Sequence, residues 1–261
     1  FRVDMRLRPN GDSGPIVCSS SMLEEYLYSQ GQEWERFAWL KGRVVNTPVF
    51  ASEEVFARQC KQLRTLVRPF VFRKYLDFGA LEALRELHEK IRAETARREL
   101  LRGSIGVNVK LGRGGIREIE FITQTMQIIR GGRDPQLQGR STLAMLSALG
   151  EENFLDPAIA HQCQLDYIFL RNVEHAIQYI DDEQTQMLPS TGEKPVAIAT
   201  LLGVQPGALW KEVHAVRERV ARVFDSIFQV EESTVSTEGW PIGWEMGSTS
   251  SSALLLERLQ A

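Results

Sequence analysis

Three arginines and one aspartate alternate with apolar residues at the start of the sequence, between Phe1 and Arg8. Successive residues of a β-strand point to opposite faces of a sheet, so the alternation predicts a strand with one face on a core. The other face carries Arg2, Asp4, Arg6 and Arg8. Guanidinium groups bind phosphate oxygens in pairs, and a carboxylate among them can hold a Mg²⁺ ion that bridges phosphates. The alternative is an edge strand whose charges are merely solvated.

Residues 103–121 also combine glycines with charged side chains, and five glycines fall within thirteen positions. Glycine lets a backbone approach another group closely, and a helix that begins after them near Ile116 offers N–H groups to an anion. The polar stripe of that helix consists of Arg117, Glu120, Gln124 and Gln127. The spacing matches neither a P-loop nor a dinucleotide-binding motif. A capped amphipathic helix is the simpler interpretation.

Serines predict where the helices of the first part begin. Ser19, Ser20 or Ser21 is expected to cap one helix, and Ser52 another that runs to Val67, where an Arg-Pro step follows. Between these helices, the simpler interpretation of a further helix near Trp34 is an amphipathic one, packed by its aromatic residues and with solvated charges.

Helices are expected to dominate the rest of the chain as well. They are predicted at residues 80–101, from Ile116 onward, and at residues 143–149, 159–180 and 210–230. The predicted buried side of the helix over 159–180 consists of Leu165, Ile168, Phe169, Val173, Ala176 and Ile180. Residues 181–189 are expected to form a polar loop.

Composition limits the classes of function. A chain of 261 residues with 43% hydrophobic residues can form one large domain or two modest ones, and its formal charge of −3 indicates no nucleic-acid partner. No apolar stretch approaches the roughly 18 residues of a membrane span. Three widely spaced cysteines are typical of reduced thiols in a cytoplasmic protein. The four histidines lack zinc-ligand spacing, which argues against a zinc hydrolase.

Together these motifs resemble the glutamine synthetase adenylyltransferase/adenylyl-removing enzymes. The resemblance is carried by RVDMRLRP at residues 2–9, GDSGP at 11–15, WERFA at 34–38 with Lys41 and Arg43, and KLGRGGIREIEF at 110–121. It extends to about Val230. The family has two nucleotidyltransferase domains, each followed by a helical bundle. Its second half usually has a threonine-aspartate pair in place of Arg117-Glu118 and lacks the segment 181–186, so the chain resembles the N-terminal, adenylyl-removing half.

The resemblance implies a mostly α fold in three parts. Residues 1–47 would be the C-terminal part of an α/β nucleotidyltransferase domain, and residues 48–230 a helical bundle. Residues 231–261 would be a linker and the start of a following helix. Because the chain opens inside a predicted strand without an initiator methionine, we interpret it as a fragment of a longer polypeptide.

The resemblance also implies roles for single residues. The nucleotidyltransferase fold holds two Mg²⁺ ions with three carboxylates, of which Asp4 matches the third and the other two are expected upstream of Phe1. The fragment alone is therefore expected to have little or no catalysis. Asp4, Arg6 and Arg8 are the implied catalytic residues, with Asp4 as metal ligand. The implied phosphate- or nucleotide-binding residues are Lys41, Arg43, Lys110, Arg117 and Glu120.

The implied reaction is phosphorolysis of an adenylylated tyrosine on glutamine synthetase to give ADP and free tyrosine. The implied partners are adenylylated glutamine synthetase, the small nitrogen-signalling PII protein, phosphate, ADP and ATP, with no nucleic acid and no membrane. Two alternatives stay open at this point. One is another nucleotidyltransferase, such as a uridylyltransferase of the signalling protein, and the other is a non-catalytic helical binding module.

Overall fold

A computed structural model of the chain describes residues 8–44, 52–72, 89, 93 and 106–228. Most of the predicted first strand lies outside the described residues, as do the segment after Phe228 and, apart from residues 89 and 93, the predicted helix over 80–101. The described residues are predominantly helical, which confirms the mostly α fold class. They fall into two compact units: residues 8–44, 52–72 and 127–140 in the first, and residues 106–126 and 141–228 in the second.

The first unit contains a short 3₁₀ turn and three helices. Its elements are the turn Gly11–Ser13, α1 Ser20–Ser29, α2 Glu33–Lys41 and α3 Glu53–Val71. The predicted caps are confirmed, since the hydroxyls of Ser19 and Ser52 accept hydrogen bonds from the backbone N–H groups of Met22 and Val55. These bonds satisfy donors that the first turn of a helix leaves open.

Helix α3 continues past the predicted end at Val67. Pro69 lies within its last turn, and the helix ends only at Val71. A proline near the end of a helix removes a single intrahelical donor. The residues beyond it, Phe70 and Val71, are buried in the core of the first unit, so their burial favours the extra turn. The same core contains Leu23, Leu27, Phe37, Leu40 and Val67.

The prediction of solvated charges on α2 is wrong for two of its residues. Arg36 has 1% of its side chain exposed, and Glu35 is also buried. Arg36 forms an ion pair with Glu33 one turn earlier, and its guanidinium lies over the ring of Phe70. A guanidinium is weakly hydrated and flat, so an aromatic face and one carboxylate are suitable surroundings for it inside a core.

The second unit joins a small sheet to long helices. Strand β1 Gly106–Asn108 pairs antiparallel with β2 Met187–Pro189, so that Val107 lies opposite Leu188. The predicted polar loop therefore ends in a strand. The helices are α4 Ile116–Arg130, α5 Thr142–Glu151, α6 Pro157–Asp181, α7 Lys194–Leu201 and α8 Leu209–Phe228. Only the first eleven residues of α4 belong to the second unit, because residues 127–130 belong to the first.

Helix α4 is buried on more sides than an amphipathic helix would be. The predicted apolar stripe is buried from Ile116 to Met126, but Glu120, Gln124 and Gln127 of the polar stripe are buried too. The polar stripe is present as predicted, but most of it is buried, so an amphipathic helix with one buried side does not describe α4. Buried polar groups need partners, and the side-chain amide of Gln127 donates to two backbone carbonyls.

Helix α6 is turned relative to its predicted orientation. Val173 and Ala176 are buried as predicted, whereas Leu165 and Ile168 are 48% and 43% exposed. The buried side carries acidic residues as well as apolar ones: Cys163, Asp166, Leu170, Val173, Glu174 and Ile177. Two carboxylates on a core-facing stripe require cationic partners, and the second unit supplies them.

Candidate functional site

Five polar side chains meet in the second unit, and we call them the charge cluster. Lys110 follows β1, Glu120 lies on α4, and the other three members belong to α6: Tyr167, Arg171 and Glu174. The α6 residues follow one another at spacings of four and three positions. That spacing places them on one side of the helix, where they can face both other segments.

Arg171 lies at the centre of the cluster. Its Nη2 donates to Glu120 Oε1 at 2.7 Å, and its Nη1 donates to Glu174 Oε2 at 2.7 Å. Its Nε donates to the hydroxyl of Tyr167 at 3.1 Å, and that hydroxyl donates to Glu120 Oε1 at 3.2 Å. Each edge of the planar guanidinium therefore has an acceptor. Such charge-assisted bonds are short and strong, so they fix the position of α4 on α6.

Lys110 meets the cluster through a single contact. Its Nζ lies 3.1 Å from Glu174 Oε1. The side chain of Glu174 is 3% exposed, whereas that of Lys110 is 32% exposed. An ammonium group has three N–H donors, and Glu174 is the only partner of this one among the residues that the structure describes. Lys110 is thus anchored at a buried carboxylate, and within the described part of the chain its other donors have no protein partner.

Two carboxylates and two cations make the cluster electrically balanced. Burial alone would raise the pKa of the Glu174 carboxyl, but the hydrogen bonds from Arg171 and Lys110 lower that pKa below its ordinary value. Burial likewise opposes the charged form of Arg171, yet its bonds to Tyr167 and Glu174 raise its pKa above the usual one. Both groups are therefore charged at neutral pH.

The glycines before α4 approach the protein's own backbone. Gly114 has φ +70°, and a Cβ placed on it would lie 1.9 Å from the carbonyl oxygen of Arg217. A Cβ on Gly115 would meet the carbonyl oxygens of Val109, Lys110 and Gly112 at 2.8 Å. The close approach that the glycines predicted is therefore an approach to the loop after β1 and to α8, and it packs the start of α4.

The start of α4 offers few donors to an anion. The N–H groups of Ile116 and Arg117 donate to the carbonyls of Val109 and Lys110, and that of Glu118 donates to the carbonyl of Gly115. The carboxylate of Glu118 in turn accepts from the backbone N–H of Gly114. The anion site expected from free backbone donors is not supported here, because these groups already have partners.

The other predicted site residues lie in several places. Lys41 Nζ donates to the carbonyl of Arg140 at 2.7 Å, Arg43 is exposed, and Arg117 is half-buried. Arg8 donates from Nε to the carbonyl of Gly14 and from Nη2 to that of Asp12, so it fixes the turn after the predicted strand. Asp4 and Arg6 lie outside the described residues. Of the predicted residues, the structure brings Lys110 and Glu120 into one cluster.

Sequence reasoning missed Tyr167, Arg171 and Glu174. An arginine and a glutamate three positions apart are common on solvated helix faces, so the pair itself carries little information. The sequence signal that could have identified Glu174 was its position on the helix. Glu174 lies directly after Val173 on the side that also carries Leu170 and Ile177, and a charge on such a side indicates a buried partner.

A second buried ion pair lies on the same helix. Arg219 Nη2 on α8 donates to Asp166 Oδ1 at 2.7 Å, and the Asp166 side chain is 4% exposed. This bond raises the pKa of Arg219. Nearby, burial and then the charge of Asp166 raise the pKa of the Cys163 thiol to about 12. Cys163, like Cys18 and Cys60, is a free thiol, as predicted.

The described residues contain neither a cluster of metal-binding side chains nor a membrane-spanning helix. Within residues 8–44, 52–72 and 106–228, no group of three or more histidine, cysteine, aspartate or glutamate side chains is arranged to hold a metal ion. Over the same ranges no helix has the length and apolar character needed to cross a membrane.

Comparison with known proteins shows the family. The chain belongs to the family whose model is described as GlnD PII-uridylyltransferase, which matches residues 85–235. A second model, described as glutamate-ammonia ligase adenylyltransferase, matches residues 1–55.

Curated relatives connect both matches to a single kind of enzyme. The chain is 48% identical over 229 residues to the bifunctional glutamine synthetase adenylyltransferase/adenylyl-removing enzyme of Chromobacterium violaceum, and 49% identical over 229 residues to that of Aromatoleum aromaticum. Each alignment covers 87% of this chain but 24% and 23% of the relative, respectively. The resemblance predicted from the motifs is thus confirmed, and the chain spans about a quarter of the length of these relatives.

Proposed function

We propose that this chain is part of a bifunctional enzyme that regulates glutamine synthetase, and that its own half removes AMP by phosphorolysis. The observation that carries the proposal is the identity of 48–49% over 87% of the chain to enzymes of that name. The two family models match successive parts of the chain, which supports a nucleotidyltransferase part followed by a helical part.

The proposed reaction joins inorganic phosphate to an adenylylated tyrosine. A phosphate oxygen attacks the α-phosphorus, the new P–O bond forms as the bond to the tyrosine oxygen breaks, and that oxygen takes up a proton. The products are ADP and free tyrosine. Such transfers depend on positioning and charge neutralisation, because both reactants are anions. Basic side chains that hold the phosphate oxygens are therefore the main contribution expected of the protein.

Arg6 or Arg8 is proposed to hold the incoming phosphate. Arg8 also fixes the turn that follows it through its bonds to the backbone carbonyls of Asp12 and Gly14. Lys41, Arg43, Lys110 and Arg117, together with Glu120, are proposed to contact or orient phosphoryl groups. Mg²⁺ is the proposed cofactor with Asp4 as one ligand, and it would neutralise the phosphodiester.

The assignment to the adenylyl-removing half depends on Arg117-Glu118 and on the segment 181–186. In the structure Glu118 stabilises the loop before α4, because its carboxylate accepts a hydrogen bond from the backbone N–H of Gly114. The proposed partners are adenylylated glutamine synthetase, the PII signalling protein, phosphate, ADP and ATP.

Substitution of Asp4 in the full-length protein tests the proposal. Asp4→Asn should lower ADP formation from adenylylated glutamine synthetase by about two orders of magnitude or more, as expected for a group that stabilises transition-state charge. Transfer of labelled AMP from ATP to unmodified glutamine synthetase should survive, because the other half would perform it. Asp12→Asn, the same chemical change at an exposed residue of the neighbouring turn, should leave both activities unchanged.

The opposite result would reassign the chain. If Asp4→Asn abolished ATP-dependent labelling and spared ADP formation, the chain would be the transferase half. Near-normal rates of both reactions would exclude a metal role for Asp4.

Transfer of UMP to a PII protein is a second candidate, because the uridylyltransferase model matches 85–235. The Gly-Asp-Ser-Gly turn at 11–14 and the Arg-Glu-Ile-Glu run at 117–120 argue against it. Incubation of the full-length protein with labelled UTP and PII protein decides between them. Label on the PII protein, with none removed from adenylylated glutamine synthetase, would favour the uridylyltransferase.

A further inference from the structure

Lys110 differs from the other cation of the charge cluster in how many of its donors are used. Arg171 donates to two carboxylates and to a phenol hydroxyl. Lys110 has one partner, Glu174, among the described residues, although its side chain is one-third exposed and its ammonium group carries three N–H donors. Lys110 is therefore the member of the cluster that can bind an anion from solution without giving up its existing contact.

Glu174 keeps that ammonium in one place. The Glu174 carboxylate is almost fully buried, and Arg171 Nη1 holds its other oxygen at 2.7 Å. A lysine side chain has many rotamers, and an anchor removes that freedom before a ligand arrives. Because Arg171 neutralises Glu174, the anchor adds little net negative charge next to an incoming anion.

We propose that Glu174 is a positioning residue that directs the ammonium group of Lys110 toward inorganic phosphate. Arg171 supports it by holding Glu174 and Glu120 together. This inference rests on the proposed function, and it adds to that function a residue on α6 that acts on the phosphate through Lys110.

The test is a double-mutant cycle in the full-length protein, in which ADP formation from adenylylated glutamine synthetase is measured against phosphate concentration. Lys110→Met should raise the KM for phosphate roughly tenfold or more, as expected for loss of one charged contact, with kcat changed by less than about twofold. Glu174→Gln should raise the KM in the same direction. In the double variant the two effects should not multiply, because Glu174 would act only through Lys110.

Asp166→Asn is the matched control. Asp166 is a buried carboxylate on the same helix and is paired with Arg219 instead of Lys110. Its substitution should lower the melting temperature as Glu174→Gln does, while the KM for phosphate stays at the wild-type value. If Glu174→Gln does not fold, Glu174→Asp keeps the charge but shortens the reach, and it should raise the KM by a smaller factor.

Each contrary result has a separate meaning. A wild-type enzyme that forms no ADP overturns the proposed function and this inference with it. A wild type that forms ADP, with an unchanged KM in the Glu174 variants, overturns only the positioning role. Effects that multiply in the double variant, or an equal KM rise in Asp166→Asn, also overturn it, since both indicate a structural effect.

Discussion

Each unit contains an arginine that is built into its fold by nearly the same local pattern. Arg36 on α2 pairs with a glutamate three positions earlier and lies 4.7 Å from the ring centre of Phe70. Arg171 on α6 pairs with a glutamate three positions later and lies 5.2 Å from the ring centre of Tyr167. In both helices a local carboxylate and a ring thus flank the guanidinium.

The two arginines differ in what lies beyond this local pattern. Arg36 is 1% exposed, and it also donates a hydrogen bond to the backbone carbonyl of Phe70. Arg171 is 29% exposed and reaches Glu120, which comes from a distant segment, while its glutamate also binds Lys110. The same motif therefore completes a core in one unit and connects a partly exposed lysine to a charge network in the other. In the second arrangement the partly exposed Lys110 side chain is accessible to a ligand.

Removing the central guanidinium of the cluster should have the largest effect. Arg171→Met leaves Glu120 and Glu174 facing each other without their shared cation, so the free energy of unfolding should fall by about 3 kcal/mol. Urea unfolding at pH 7 measures this loss. A loss below about 1 kcal/mol would show that the charge cluster stabilises the second unit no more than a surface ion pair does.

The pH dependence of that loss provides a control. In the wild type the pKa of Glu174 is lowered by its partners, so its contribution is present above the ordinary glutamate pKa near 4.3 and is lost as the pH falls through the folded value. In Arg171→Met the buried Glu174 carboxyl keeps only Lys110 as a cationic partner, so its pKa should rise and it should take up a proton at a higher pH than in the wild type. The difference in stability between variant and wild type should therefore shrink from pH 7 to pH 5.

Chemical labelling of the Cys163 thiol should detect the destabilisation by Arg171→Met within the second unit. The free-energy change that it reports should be slightly smaller than the one from urea unfolding. Burial raises the pKa of this α6 thiol to about 12, so it should react only when the second unit opens. Arg171→Met should speed labelling by roughly a hundredfold, because opening becomes easier. Arg36→Met should leave the labelling rate within about threefold of the wild type. Equal acceleration by both variants would contradict the separation of the two arginines. Mass spectrometry of the labelled peptides identifies the reacting thiol.

Loss of Arg36 should lower the free energy of unfolding by less than loss of Arg171. Arg36→Met retains an apolar stem against Phe70. The Glu33 oxygen that pairs with Arg36 is buried, but the Glu33 side chain is 27% exposed and can turn toward water once Arg36 is gone. The main loss is a donor to the buried carbonyl of Phe70, so unfolding should become easier by roughly 1–2 kcal/mol. The same urea experiment checks this, and a loss as large as that of Arg171→Met would remove the contrast.

The smallest effect is expected for an ion pair at the surface of the second unit. Arg113 is 50% exposed and pairs with Asp225 on α8. Arg113→Ala should change the free energy of unfolding by about 0–1 kcal/mol, and salt at 0.5 M should remove most of the difference. A larger, salt-independent loss would indicate that this pair is as integral as the charge cluster.

Local rules predicted the elements better than the site. Ser19 and Ser52 cap helices as expected, because a cap depends only on the residues within one turn. The buried side of α6 was placed wrongly because apolar periodicity favours Leu165 and Ile168 and assigns carboxylates to solvent. Asp166 and Glu174 are buried because Arg219 and Lys110, from distant segments, neutralise them. Such pairings arise only from the tertiary fold, so no local pattern contains them.

Two glycines of the second unit differ in how strictly the fold limits the residues that can replace them. Gly114 and Gly192 both have positive φ, yet a Cβ on Gly114 would collide with the carbonyl of Arg217, while a Cβ on Gly192 would meet nothing within 4 Å. Asparagine tolerates the left-handed conformation at modest cost, so position 192 can drift to it. No residue can replace Gly114 in the same way, because any side chain there would also have to displace α8.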